Sequence, residues 1–211
     1  NGTNQILNVD LSFLAGSEYT IFAVEGRTSS RTMNYFLGTP TPSQNNGLHV
    51  GYLDNTTYRL AQHANDLDYT GLPGYTSQEF RVWSNLLDSD SGHAIYLNGA
   101  NPVFNSNTVA LITANNGRIG AGQRSEFVQW FHGDLGEILI FNHALSSTER
   151  QSMEAYLLRK WIDGLSLTNV LPADTHLRVA DGATLDLGGL NQTVASLADH
   201  GGGGGTVINS G

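Results

Sequence analysis

Phe131-His132-Gly133-Asp134-Leu135-Gly136-Glu137-Ile138-Leu139-Ile140-Phe141-Asn142, followed by Ala144-Leu145-Ser146, is the stretch on which the fold turns. Residues 133–142 have the length and composition of a long strand. Leu135, Ile138 and Ile140 are its apolar positions, and the step from 135 to 138 breaks the period of two that a strand with one buried face requires. A β-bulge at Gly136 restores all three to one face. Ser146 and Glu149 then stand as N-cap and N3 of a capping box. Met153, Tyr156, Leu157 and Trp161 share a face at helical spacing, Arg159 and Lys160 complement the helix dipole, and Gly164 ends the run. The reading is a strand, a turn, and one helix of about four turns packed on a β-sandwich.

Outward from this stretch the strands are short and frequent. Tyr19-Thr20-Ile21-Phe22-Ala23-Val24 is rich in β-formers, and residues 33–37, 49–53, 57–62 and 79–87 follow, each bounded by Gly, Pro, Asn or Asp. Asp88-Ser89-Asp90-Ser91-Gly92 closes the last of them, and residues 93–97 run into the turn dipeptide Asn98-Gly99. Residues 80–103 therefore read as successive hairpins, and residues 117–120 add a small strand. After Gly164 the texture changes: residues 165–211 hold no aromatic side chain. Short β-like runs at 177–180, 183–187, 193–197 and 206–208 are separated by Gly-rich turns, among them the run of glycines at 201–205. Such spacing suggests solenoid rungs and puts a boundary near residue 165.

Composition narrows the partners. A chain of 211 residues suits one medium sandwich with an appendage, and can bury a core without disulfides or metals. Ten basic against 19 acidic residues give a net charge of −9, with no Lys/Arg cluster. A phosphate backbone and an anionic membrane surface are both disfavoured, which leaves neutral sugars, cations and proteins. No apolar run is long enough for membrane insertion. The absence of cysteine fits a cytosolic protein and an exported, disulfide-free one equally. The chain opens on Asn1-Gly2-Thr3 without Met and reads as an excised piece, so the lack of a signal peptide says nothing about destination.

The opening stretch and its helix resemble the closing segment of bacterial laminin-G-like domains. Leu48-His49-Val50-Gly51-Tyr52, Leu60-Ala61-Gln62 and Asn65-Asp66-Leu67-Asp68 resemble the middle strands of that family, and Tyr96-Leu97-Asn98-Gly99 its hairpin. The resemblance implies an all-β, concanavalin A-like jelly-roll sandwich over residues 1–164. It also implies a first strand ahead of Gly2-Thr3-Asn4-Gln5, so that either this strand is missing here or another segment takes its place. Ala183-Thr184-Leu185-Asp186-Leu187-Gly188-Gly189-Leu190-Asn191-Gln192-Thr193-Val194-Ala195-Ser196-Leu197 resembles autotransporter-associated β-strand repeats. That likeness implies that residues 165–211 begin a β-helical segment, and that the parent is a large protein, extracellular or on the bacterial cell surface.

Catalytic chemistry finds little support in the residues. A carboxylate pair on alternate positions of one strand would aim both groups into one cleft, and no such pair occurs. Asp134 and Glu137 fall on opposite faces of a regular strand, unless a bulge at Gly136 realigns them. No Gly-x-Ser-x-Gly elbow and no His-Glu-x-x-His pattern is present. Calcium (Ca2+) is the most plausible cofactor: Asp88 and Asp90 offer oxygens at alternating positions, though a hairpin turn favours the same residues and the distal Glu of an EF-hand is missing.

Sugar binding needs flat aromatic faces beside polar groups. Tyr52, Tyr58, Trp83 and Trp130 supply the first, and Arg59, Gln62, His63, Asp66, Asp68 and Arg81 the second. In Phe80-Arg81-Val82-Trp83, Phe80 and Val82 share a face, so Trp83 points away with Arg81 as an exposed platform unless both faces are covered. The expectation is a non-catalytic carbohydrate-binding module that recognises a polysaccharide or other glycan. The alternative is a structural or adhesive surface module that contacts proteins or sister domains of the same parent. A glycoside hydrolase ranks behind both.

Overall fold

The computed structural model describes residues 5–40, 43–112, 115–122, 129–162, 174–187, 192–200 and 204–209. The chain divides into two compact units, Asn1–Leu158 and Arg159–Gly211. The expected boundary near residue 165 lies outside the described residues. In chain order the elements are β1 (Leu7–Val9), a 3-10 turn (Ser12–Leu14), β2 (Tyr19–Arg27), β3 (Asn34–Gly38), β4 (His49–Tyr52), β5 (Tyr58–Ala61), β6 (Leu67–Tyr69), β7 (Arg81–Asp88), β8 (Gly92–Leu97), β9 (Ala100–Asn105), β10 (Gly117–Ile119), β11 (Gly133–Phe141) and α1 (Ser147–Trp161).

These strands form an all-β sandwich. One sheet has the order β1-β10-β3-β4-β5-β6 and the other β11-β2-β7-β8-β9. Neighbours are antiparallel throughout, as hairpins and returning connections require. The core lies between the sheets. Tyr19, Ile21 and Ala23 of β2 and Trp83 and Leu87 of β7 meet Val50, Tyr52, Tyr58 and Leu60 from the other sheet. Each inward set is spaced by an even number of residues, so the residues at odd steps between them point outward. In β11 the register slips between Leu135 and Glu137, which is the bulge expected at Gly136. Leu135, Ile138 and Ile140 accordingly all pack against the core.

Helix α1 starts with the expected capping box: the Glu149 carboxylate accepts from the Ser146 amide at 2.9 Å and hydroxyl at 2.7 Å, and Ser146 Oγ accepts from the Glu149 amide at 3.3 Å. Its buried face differs from the apolar stripe expected from spacing. Arg150, Glu154 and Leu157 are buried, while Met153, Tyr156 and Trp161 are half-buried. The reason is a charged contact with the outer face of the five-stranded sheet. Glu154 accepts from Arg150 Nη1 at 2.6 Å and from Ser84 Oγ at 2.6 Å. The Arg150 guanidinium lies 3.7 Å over the Tyr96 ring.

The second unit is built differently. β12 (His176–Ala180) pairs with β14 (Ser196–His200), and β13 (Thr184–Asp186) with β15 (Thr206–Ile208), both in parallel. The chain thus returns beside itself one coil later, with Thr184 next to Thr206. Parallel coils that stack on themselves are the rungs the Gly-rich spacing suggested. The strand expected at 193–197 is displaced to Ser196–His200. Gly205 sits where a Cβ would come within 2.6 Å of Val179, so glycine permits the close approach. Residues 188–191 and 201–203, including most of the glycine run, lie outside the described residues.

Glu154→Ala would leave Arg150, 6% exposed, without its counter-charge. The expected loss is about 3–5 kcal/mol, because breaking one half of a buried pair strands the other charge. Urea denaturation measures it, and a loss below about 1 kcal/mol would mean the pair behaves as a surface ion pair.

Candidate functional site

The structure sorts the expected sugar-binding residues into two places. Tyr52, Tyr58, Trp83 and Gln62 are fully buried, and Arg81 is 8% exposed. The exposed Trp83 platform is therefore corrected. Trp83 and Arg81 do share a face of β7, but it is the inner one, and α1 helps to cover the other face through its contact with Ser84. A central strand covered on both sides shows no polar alternation from which to tell inside from outside.

What these residues build is an interior polar cluster. Tyr58 stacks on Trp83 with centroids 3.7 Å apart and planes within 6°. Tyr52 OH and Trp83 Nε1 donate to Glu25 Oε1 at 2.6 and 3.0 Å. Arg81 donates to the Tyr52 oxygen at 3.0 Å and to Glu79 at 2.9 Å. Arg27 lies 4.2 Å over the Tyr52 ring and donates to the carbonyls of Asn55 and Pro73. Burial is the main influence on the Glu25 carboxyl and raises its pKa. The bonds from Tyr52 and Trp83 and the charges of Arg81 and Arg27 oppose that rise. Sequence reasoning missed Glu25 because a carboxylate in a strand of β-formers looks like an ordinary outward residue.

The second place is the outer face of the six-stranded sheet. Val50 and Tyr52 of β4, Tyr58 and Leu60 of β5, and Leu67 of β6 point inward, so His49, Gly51, Arg59 and Asp68 point out. Arg59 and Asp68 are directly paired across the strands. Arg59 Nε and Nη2 donate to the two Asp68 oxygens at 2.6 and 2.8 Å, and Nη1 lies 3.0 Å from Asp66 Oδ2. Asp66 Oδ1 finds no hydrogen-bond partner among the described residues. Tyr35 and His49 meet edge to face at 5.0 Å and form the neighbouring floor. Burial pushes the Tyr35 phenol up to about 12 and lowers the His49 pKa, so both are neutral near pH 7. Gly51 lies between Tyr35 and Arg59 in register, and a Cβ there would come within 2.7 Å of the Asn34 carbonyl oxygen.

A tight turn frames one side of this cluster. His63 (φ 56°) and Ala64 (φ 79°) both occupy the left-handed region, which is costly for non-glycine residues and concentrates at functional sites. Asn65 donates to Asn45 Oδ1 and accepts from Asn107, and Asn105 donates to the Asp66 carbonyl, so side-chain amides hold the turn. Of the expected residues, Arg59, Asp66 and Asp68 are thus brought together and half-buried beside the buried Tyr35 and His49, and His63 is half-buried in the turn that follows β5. Trp130 is half-buried in a bridge with Ala121.

The remaining candidates carry structural contacts. Asp88 Oδ1 accepts from the amides of Asp90 and Ser91 and from the Ser91 hydroxyl at 2.8–2.9 Å, closing the hairpin turn, and Asp90 is exposed. Among the described residues no group of three or more His, Asp or Glu side chains is placed to hold a metal ion. The bulge in β11 puts Asp134 and Glu137 on the same, outer face, where Asp134 accepts from Gln78 at 2.6 Å and Glu137 from Tyr156 at 3.3 Å.

No protein-family profile matches the chain, and no curated protein is similar to it. Solved structures are similar in fold. The CBM40 of the Ruminococcus gnavus IT-sialidase superposes with a TM-score of 0.54 at 16% identity, over 72% of this chain and 95% of that one. The same module bound to α2,3-sialyllactose gives 0.55 at the same identity and coverage. Domain 4 of AbnA, a GH43 extracellular arabinanase from Geobacillus stearothermophilus, solved with arabinotriose, gives 0.57 at 14% identity, over 73% and 74%. At these identities the likeness establishes the jelly-roll fold.

Glu25 gives stability a pH dependence of definite sign. Its folded pKa lies above the ordinary value of 4.5, so its contribution is full below pH 4.5 and is lost as pH rises through the folded value. Relative to Glu25→Gln, the wild type is expected to lose stability as pH rises above about 4.5, as read from urea unfolding at each pH. Parallel profiles for the two proteins would contradict this.

Proposed function

We propose that the sandwich is a non-catalytic glycan-binding module of an extracellular or cell-surface bacterial protein, with its site on the outer face of the six-stranded sheet around Arg59. The observation that carries this reading is the constellation of Arg59, Asp66 and Asp68, half-buried on the outer side of the sheet beside the buried rings of Tyr35 and His49. Planar, pre-oriented carboxylate and guanidinium groups suit the paired hydroxyls of a sugar, which can accept from one and donate to the other. The fold supports the reading further, since two similar modules were solved with sialyllactose and arabinotriose bound. A non-catalytic role is favoured by Asp134 and Glu137, which are engaged by Gln78 and Tyr156. The parallel strand pairs of the second unit support its reading as the start of a repeat segment in a larger surface protein.

The adhesive reading has one observation in its favour. β1 is an edge strand whose Leu7 is 63% exposed beside Ile6 at 41%, and such an edge can pair with another chain. Sedimentation across a range of concentrations separates the two: a concentration-independent monomer counts against self-assembly.

Affinity electrophoresis against a panel of plant and microbial polysaccharides, with and without a calcium chelator, tests the glycan reading. Selective retention is expected, weakened about tenfold or more by Arg59→Ala, as for loss of charge-assisted hydrogen bonds. Chelator sensitivity would reveal a bound calcium ion. Retention on no glycan would sink the reading.

A further inference from the structure

We propose that this face selects uncharged glycans and rejects sugars that carry a carboxylate; the inference rests on the glycan-binding reading above. A carboxylate ligand needs a cation with charge to spare, and Arg59 has none. Its Nε and Nη2 are committed in a fork to Asp68, and its Nη1 lies against Asp66. One guanidinium faces two carboxylates, so the cluster carries a net negative charge. His49 adds no positive charge near neutral pH, because burial disfavours its protonated form.

Among the described residues, no cation besides Arg59 is in ion-pair contact with Asp66 or Asp68. Arg118 projects from β10, which is three strands away from β5 in the sheet order. That separation is about 14 Å across the sheet, beyond the screening length of about 8 Å at physiological salt. The chain's net charge of −9 adds long-range repulsion of the same sign.

Donors nevertheless remain for neutral ligands. A guanidinium has five N–H groups, and those not held by the aspartates can meet hydroxyl oxygens without requiring a negative charge. Asp66 and Asp68, half-buried beside them, can accept from sugar hydroxyls. The same geometry that spends the charge of Arg59 therefore leaves its hydrogen-bonding capacity, which is what an uncharged sugar uses. The R. gnavus module shares the fold and was solved with a sialylated, hence carboxylate-bearing, sugar. Fold likeness and ligand charge accordingly part company here.

The test is calorimetric titration of the whole chain at near-neutral pH and physiological salt. The probes are arabinotriose, xylohexaose, cellohexaose and laminarihexaose as uncharged ligands, and 3′-sialyllactose and trigalacturonate together with their methyl esters. Each acid and its ester differ by the carboxylate charge. Binding of an uncharged member, with any carboxylate form at least about tenfold weaker than its ester or than that member, is expected from the Coulomb repulsion. Asp66→Asn with Asp68→Asn frees the Arg59 charge and should narrow that ratio to about threefold or less. Equal or tighter binding of a carboxylate form by the wild type overturns the inference and leaves the glycan reading standing. Binding of no probe, and of no polysaccharide in the panel, overturns the glycan reading and the inference with it.

Discussion

Packing of the Tyr58 ring on Trp83 joins the two sheets, and the rest of the sandwich is arranged around that contact. It commits Tyr58 inward, and the period of two then obliges Arg59 to point outward beside Asp68. The core and the candidate site are thus two faces of the same short strands. The contact also fixes the indole N–H against Glu25, so a carboxylate is tolerated inside because Trp83 and Tyr52 both donate to it. Buried polar groups held in this way favour a single arrangement of the sheets, since a slip in register would leave them unpaired.

The helix decides which side of the sandwich is available. Arg150, Glu154 and Leu157 are buried against the five-stranded sheet, and the charged pair meets Ser84 and Tyr96 there. This is why Asp134 and Glu137, although realigned by the bulge, meet neighbouring side chains from the helix and from the segment before β7. On the six-stranded sheet the outward polar groups instead meet one another. The turn that holds the left-handed His63 and Ala64 is fixed by amide contacts of Asn65 and Asn105 to neighbouring loops.

The second unit obeys a different rule. Parallel pairing requires the chain to travel round and return, and each coil must come close to the last. Small residues at the contact make that possible: Gly205 rests on Val179 where any side chain would collide.

Local signals in the sequence determined the elements whose causes are themselves local. The capping box at Ser146 and Glu149 and the hairpin turn at Asn98-Gly99 depend on near neighbours in the chain, and the broken alternation of Leu135, Ile138 and Ile140 marked the bulge at Gly136. Arg59, His63, Asp66 and Asp68 were legible as candidates because polar residues cluster there between short strands. What only the tertiary structure decided was which faces are inside. Trp83 and Arg81 alternate with Phe80 and Val82 in either case, and period two names two faces without saying which one meets the other sheet. Covering both sides of β7 turned a presumed sugar platform into the centre of the core. The partnership of Tyr35 and His49 with Arg59 joins three strands that are adjacent only once the sheet has formed, and no spacing along the chain records it.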